Sequence, residues 1–368
     1  MLPGFHAVSG ELVEVMSRAV RASVYLWLLG CGVASTPSAR VGPVAVNAPA
    51  APVLIDASGA HVCVQYADGW MRCAGGSGGV SPFDVGQFPI GQSIDWDLLR
   101  GPAHCVFGHG TLVCRCERDG EAVPWVQALP DAVEVRGGWA RRSHDTLRSL
   151  RVCSDRPGVE TRVPGLRWLS VSGGMAETLG SAAGIVSSDG IGNTRTIPAP
   201  VGDATGFVRT RVLPPAFVVW DDTGRVTEVS SHDVTGQSFT ARSISVPPVA
   251  FVASDPPLDD IAMICALTRA EEVWCWGDNG CDATQPAGDA PPPEPNECER
   301  RTTSPHRVAL PEPITSLTVG AHFACALASA AVWCWGDNYF GALGDTTRVD
   351  SEVPVRFQGR AGSFRDPS

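Results

Sequence analysis

The chain has 368 residues, of which 44% are hydrophobic and 18% are charged, a balance typical of a protein that folds around a core rather than a disordered one. All 28 basic residues are arginine, which excludes P-loop, Schiff-base and Ser-Lys mechanisms because each of them needs a lysine. The net charge of −11 has the wrong sign for coating a phosphate backbone, so we expect no nucleic-acid partner.

The first 31 residues resemble a bacterial lipoprotein signal. Basic residues precede a short apolar run at 24–30, which ends in the small residue Gly30, and Cys31 follows it directly. In such a signal residues 28–31 form the lipobox and Cys31 becomes the acylated first residue, with translation from Met16 giving the cleaner signal. The run is too short for a spanning helix of about 20 residues. A buried strand or helix that precedes a cysteine is the alternative.

Cysteine spacing predicts disulfide bonds in the rest of the chain. Four pairs are separated by eight or nine residues, with turn-like residues between two short apolar runs, which is typical of the two ends of a β-hairpin. The expected pairs are Cys63–Cys73, Cys105–Cys114, Cys116–Cys153, Cys265–Cys275, Cys281–Cys298 and Cys325–Cys334. Buried free thiols and a zinc site are the alternatives, although no C-x-x-C motif supports zinc.

A repeated unit follows a tether-like segment at 32–52 that is rich in Ala, Ser and Pro. The two clearest copies, at 265–279 and 325–338, share Cys-Ala-Leu, a turn and Val-Trp-Cys-Trp-Gly-Asp-Asn. Weaker copies occupy 59–75 and 101–114. Each copy predicts two strands joined by a tight turn, because Asp-Gly and Gly-Thr pairs suit the positive φ of such turns.

Three degenerate units complete the series, near 144–153, at 168–190 and at 217–226. Seven units between Val41 and Phe357 give about 45 residues each, within the range of propeller blades. A proline-rich insert at 279–304 explains the longest interval. We therefore expect a β-propeller over residues 53–357 and a C-terminal tail at 358–368.

These repeats resemble the regulator of chromosome condensation repeat family, whose units carry G-x-x-H-x-C-A-L, a hairpin, V-W-C-W-G-D-N and G-x-L-G-D. Residues 339–345 match the last element. The resemblance implies an all-β fold, a seven-bladed β-propeller. In such a ring the tryptophans of the repeat, Trp274, Trp276, Trp333 and Trp335, are expected to be wedges between neighbouring blades.

Catalytic motifs are weak or missing. Residues 75–79 satisfy G-x-S-x-G, but no helix is predicted after them, as a nucleophile elbow requires. His61, His104 and His322 recur at one position of the unit and are expected to orient the hairpin, because one histidine per blade does not converge on one metal. We expect no enzyme activity, no metal and no cofactor.

The insert is the candidate binding loop, because its prolines and a disulfide would lower the cost of ordering it. Its charged residues are Asp282, Asp289, Glu294, Glu297, Arg300 and Arg301. A tolerated surface insertion is the alternative. We expect a monomeric, extracytoplasmic propeller, anchored by lipid to the outer membrane or cell surface, that binds a protein or a surface polymer. A guanine-nucleotide exchange factor, which the resemblance implies, and a hydrolase on the propeller face are the competing functions.

Overall fold

A computed structural model describes the chain over residues 50–76, 81–96, 103–118, 121–143, 145–154, 158–163, 166, 168–172, 175–179, 184–188, 194–197, 201–211, 215–232, 238–255, 263–277 and 302–359. The expected signal with Cys31, and residues 279–301 of the expected insert, lie outside these ranges. Within them the secondary structure consists of strands, and none of it is a helix suited to crossing a membrane.

The strands form seven four-stranded antiparallel sheets, and each sheet is made from one continuous part of the chain. Sheets 1 to 4 contain β1 (Pro52–Ser58), β2 (His61–Tyr66), β3 (Trp70–Gly75), β4 (Phe83–Gln87); β5 (Ser93–Trp96), β6 (Ala103–Gly108), β7 (Thr111–Arg118), β8 (Glu121–Ala128); β9 (Ala132–Arg136), β10 (Trp139–Arg142), β11 (Thr146–Ser149), β12 (Glu160–Arg162); β13 (Ser170–Ser172), β14 (Met175–Leu179), β15 (Ile185–Ser188) and β16 (Thr194–Ile197).

The remaining three sheets follow the same order. Sheets 5 to 7 contain β17 (Gly206–Arg211), β18 (Ala216–Trp220), β19 (Val226–Ser231), β20 (Phe239–Ile244); β21 (Val249–Ser254), β22 (Met263–Thr268), β23 (Val273–Gly277), β24 (Thr302–Arg307); β25 (Ile314–Val319), β26 (Phe323–Ala328), β27 (Val332–Gly336) and β28 (Ser351–Arg356). The degenerate units of the sequence correspond to sheets 3, 4 and 5.

Glycines with positive φ form the tight turns, and the same backbone requirement explains why glycine ends the Trp-Cys-Trp-Gly motif. The β2–β3 turn has Gly69 at φ 85°, as the Asp-Gly pair predicts. The β6–β7 turn is formed by His109 and Gly110, both at positive φ, and not by Gly110 and Thr111, because Thr111 already pairs in β7. Gly336 has φ 114°, and a Cβ there would lie 2.5 Å from the carbonyl oxygen of His322.

Hydrophobic side chains fill the junctions between consecutive sheets and also join sheet 7 to sheet 1. From the junction of sheets 1 and 2 onwards, the clusters include Met71 with Ile94, Leu112 with Val135, Trp139 with Leu169, Ile185 with Phe207, Trp220 with Ile264, Met263 with Leu317, and Phe323 with Val62. At six junctions the innermost strands also pack directly against each other. The fold is therefore an all-β propeller, in which packing between sheets buries the faces that one sheet cannot bury alone.

Sheet 7 meets sheet 1 without sharing a strand. The backbone N–H of Ala57 donates to Thr318 Oγ1 at 2.8 Å, and the N–H of Ala321 donates to the carbonyl oxygen of Gly59 at 2.7 Å. We call this junction the seam. It is held by side-chain packing and isolated hydrogen bonds, because no strand of one sheet extends the other.

The tryptophans and the insert differ in part from the sequence predictions. Trp276 and Trp335 are buried at sheet junctions, and Trp333 packs partly against the same cluster as Trp335. Trp274 is only half-buried, and its indole N–H donates to Glu272. Strand β24 begins at Thr302. Residues 302–304 of the expected insert therefore belong to the fourth strand of sheet 6.

Candidate binding face at the exit end of the ring

The innermost strands of several sheets finish at the same end of the ring, which we call the exit end. Strand β1 finishes at Ser58 and strand β25 at Val319, and the residues that follow them are joined by the hydrogen bond from Ala321 to Gly59. Strand β21 finishes at Ser254, and the next residue, Asp255, accepts a hydrogen bond from the N–H of Gly59 at 2.6 Å. Three sheets therefore meet at this end.

Asp255 is a mostly buried carboxylate at the exit end. Burial raises the pKa of its carboxyl above the usual 3.8, while hydrogen bonds from Gly59 and Ser58 and the charge of Arg136 oppose this rise. Because Asp255 belongs to sheet 6, Gly59 to sheet 1 and Arg136 to sheet 3, the carboxylate ties together parts of the ring that are far apart in sequence.

The raised pKa of Asp255 makes stability depend on pH. A carboxyl whose pKa is higher in the folded state contributes stability in acid, and this contribution is lost as the pH rises above 3.8 through the folded-state value. Asp255→Asn keeps an acceptor for Gly59 and has no proton to lose. Its melting temperature is therefore expected to improve relative to the wild type between pH 4 and pH 7. If the melting temperatures of the two proteins change with pH in the same way over this range, the assignment is contradicted.

A cavity of about 300 Å³ lies among the innermost strands. The strands of sheets 1, 2, 3, 6 and 7 line it, and its polar side chains include Asp56, Gln92, Glu134, Arg136 and Ser316. Glu134 is held by an ion pair with Arg141 at 3.0 Å. The cavity has the size of a small ligand site and offers both charge signs and neutral hydrogen-bonding groups, which suits a polar ligand or a polar side chain of a partner.

A smaller, apolar cavity of about 60 Å³ lies at the seam, at the exit end of the ring. Gly59 and Ala60 of sheet 1 line one side, and Phe323, Asp337 and Phe340 of sheet 7 line the other. Phe340 also forms an edge-to-face pair with Tyr339, with ring centroids 4.9 Å apart. The seam therefore combines a recess, exposed aromatic rings and one carboxylate.

A third cavity, of about 300 Å³, lies beside the β22–β23 turn at the opposite end. Glu271, Glu272 and Glu312 line it. Arg307 pairs with Glu272 at 3.1 Å, and Ser329 donates to Glu312 at 3.3 Å. Two of its three carboxylates thus already have partners within the chain.

The three repeated histidines are not equivalent. His61 and His104 stand two residues and one residue before the first cysteine of their hairpins, and His322 precedes strand β26 altogether. Burial, and to a lesser extent the charge of His104, lower the pKa of His61 to about 4, and burial lowers the pKa of His104. Both imidazoles are therefore neutral at physiological pH, which fits the structural role expected from the sequence.

Within the described residues, five cysteine pairs form disulfide bonds, and they are Cys63–Cys73, Cys105–Cys114, Cys116–Cys153, Cys265–Cys275 and Cys325–Cys334. Four of them join directly opposed residues of the second and third strands of a sheet. The fifth ties β7 of sheet 2 to sheet 3. Cys281 and Cys298 lie outside the described residues.

Across the described ranges, one group of side chains is close enough to hold a metal ion. It consists of Cys63, Cys73 and His104. The two sulfurs are bonded to each other, so they do not act as thiolate ligands in this state.

The residues of the candidate binding loop, Asp282, Asp289, Glu294, Glu297, Arg300 and Arg301, lie outside the described residues. Gly277 and Thr302, on either side of the segment, pair with each other in sheet 6. Gly336 and Ser351 pair in the same way in sheet 7, around the loop that carries Phe340. The two residues that flank the segment, Gly277 and Thr302, therefore lie at the exit end.

Sequence reasoning did not find Asp255, Arg136 or the seam cavity. Asp255 follows a strand like many other aspartates, and nothing in its local sequence indicates a contact with Gly59, 196 residues away. Tyr339 and Phe340 stand in a recognised motif, but their exposure is a property of the folded loop. The one available signal was the large aromatic pair beside a carboxylate.

No family model and no curated protein matches the sequence. Among solved structures, yeast RCC1 (Prp20) bound to Kap60 is 10% identical with a TM-score of 0.44, over 84% of this chain and 75% of that chain. Human WBSCR16 is 11% identical with a TM-score of 0.40, over 84% and 83%. Hsv2 of Kluyveromyces marxianus is 5% identical with a TM-score of 0.50, over 78% and 93%. The similarity of this β-propeller to yeast RCC1 (Prp20) and to human WBSCR16 is therefore a distant structural one.

Proposed function

We infer that the protein is an extracytoplasmic, lipid-anchored propeller of seven blades that binds a protein or a surface polymer at its exit end, without catalysis. In this proposal its repeats are those of the regulator of chromosome condensation type. The observation that carries the proposal is the grouping at one end of the ring. The seam cavity and the exposed pair of Tyr339 and Phe340 belong to that end, and so do Gly277 and Thr302, which flank the 278–301 segment.

The disulfide bonds support the compartment. Five of them occur in the described residues, and such bonds persist in oxidising, extracytoplasmic environments. The lipid anchor rests on the sequence around Cys31, because one acyl-carrying cysteine after a signal would hold the protein at a membrane surface. A tether at 32–52 would then leave the propeller free to meet a partner.

Site-specific photo-cross-linking on intact cells tests the proposal. A benzoyl-phenylalanine at Tyr339, which is 65% exposed, probes the exit end. Matched probes at Ala270, an exposed residue of the opposite end, and at Val126, which is 63% exposed on strand β8, serve as controls. We expect a discrete cross-linked product with the Tyr339 probe and none with the controls. Equal products from all three probes would contradict binding at the exit end.

The same cells test the anchor. Cys31→Ser is expected to move the protein from the membrane fraction into a soluble fraction, because it removes the acylated side chain. Wild-type protein found in the cytosolic fraction, with a non-acylated N-terminus in its mass spectrum, would contradict the proposed location.

A further inference from the structure

We propose that the seam contains a cation-binding site, formed by Tyr339, Phe340 and Asp337, that takes an arginine or lysine side chain of a bound protein. The inference rests on the proposed function and specifies the chemistry of the partner. The three residues follow strand β27 directly, at the exit end.

Two aromatic rings are exposed where a folded protein would ordinarily bury them. Tyr339 is 65% exposed and Phe340 is 45% exposed, and they pair edge to face with an interplanar angle of 86°. An edge-to-face pair leaves ring faces open, and ring faces attract cations through their negative quadrupole.

The recess beside the rings, of about 60 Å³, combines an apolar wall with a carboxylate, which suits the end of a long basic side chain. Its wall includes Phe340, Phe323 and Ala342, which suits a methylene stem, and Asp337 is its one acidic group. His322 also lines the recess, and its Nδ1 atom is buried without a hydrogen-bond partner. A guanidinium or ammonium N–H that enters the recess would meet the carboxylate oxygens of Asp337.

The loop that carries the site is held in place before any partner binds. Asn338 is fully buried, and its amide N–H₂ donates to Asp345 Oδ1 and to the carbonyl oxygens of Thr347 and Val349. Its amide oxygen accepts from the N–H of Leu343. Asp337 Oδ1 accepts from the N–H of Tyr339 at 2.6 Å. A site fixed in this way loses little conformational entropy on binding.

The charge around the seam has the sign that a basic partner requires. The loop at 337–350, which begins at the exit end, carries three aspartates and one arginine. The whole chain has a net charge of −11. Opposite charge on a partner would raise its rate of association with this face and favour its correct orientation.

Fluorescence anisotropy with a labelled peptide of alternating arginine and glycine tests the site at physiological ionic strength. We expect Phe340→Ala and Asp337→Asn each to weaken binding about tenfold, which is within the range of cation–π and charge-assisted contacts. Asp337→Asn keeps the acceptor for Tyr339. Val126→Ala removes an apolar side chain that is 63% exposed on strand β8, away from the seam, and is expected to bind as the wild type does. Near-ultraviolet circular dichroism verifies the fold of each variant.

Two outcomes would overturn the site. If Phe340→Ala and Asp337→Asn bind the peptide as tightly as the wild type, the peptide is attracted by net charge alone. If a matched citrulline peptide, which keeps the shape of arginine without its charge, binds equally well, the recess does not select a cation. In either case a cross-link from the Tyr339 probe would still support binding at the exit end, so the two proposals fail separately.

Discussion

Replacing Trp335 with alanine is expected to lower the free energy of unfolding by about 3–5 kcal/mol. Trp335 is completely buried in the cluster between sheets 6 and 7, where Met263 and Leu317 contribute from the two sides. Truncation leaves a cavity that the two sheets cannot close, because each is fixed by its own strand pairing. Denaturant unfolding monitored by circular dichroism measures the loss.

Trp333 provides a matched control for Trp335. It lies on the same strand, two residues away, and is only partly buried against the same cluster. Trp333→Ala is therefore expected to cost about half as much, since part of its surface is already in water. If the two variants lose equal free energy of unfolding, the loss does not follow from how deeply each ring is buried.

Removal of the Cys116–Cys153 disulfide is the second change with a large expected effect. The bond closes a loop with a sequence separation of 37 and ties sheet 2 to sheet 3. The chain-entropy model assigns about 4 kcal/mol to a loop of this length. The double variant Cys116→Ala/Cys153→Ala is expected to lose about that much stability in denaturant unfolding under oxidising conditions.

The Cys265–Cys275 bond is the control for loop length. It joins opposed strands within sheet 6 at a separation of 10, so its removal is expected to cost about 3 kcal/mol. A larger loss for Cys265→Ala/Cys275→Ala than for Cys116→Ala/Cys153→Ala would contradict an account based on loop closure. It would indicate that strain or packing around the bonds dominates.

The predictable parts of the fold are those that depend on neighbouring residues. The hairpins around Cys265 and Cys325 could be read from the sequence because a strand, a tight turn and a second strand are local features. Their cysteine partners followed from the same spacing. The β6–β7 turn was shifted by one residue, because His109 adopts a positive φ that no composition rule favours over Gly-Thr.

The candidate site was only partly predictable. The segment that contains Asp282 and Arg300 was singled out by its prolines and charges, and it lies outside the described residues. The seam was not predicted, because it exists only where the last sheet meets the first. Residues such as Ala57 and Thr318, which join there, are 261 positions apart.

The sequence by itself determined the repeat, the central hairpins of the four clearer units and their disulfides, because these depend on contacts about ten residues apart. The tertiary structure decided which tryptophans are buried, that Asp255 bonds to Gly59, and that Tyr339 and Phe340 remain exposed beside the seam. These features arise from packing one sheet against another. Their partners are set by how the chain closes into a ring, which the local pattern of a single repeat does not contain.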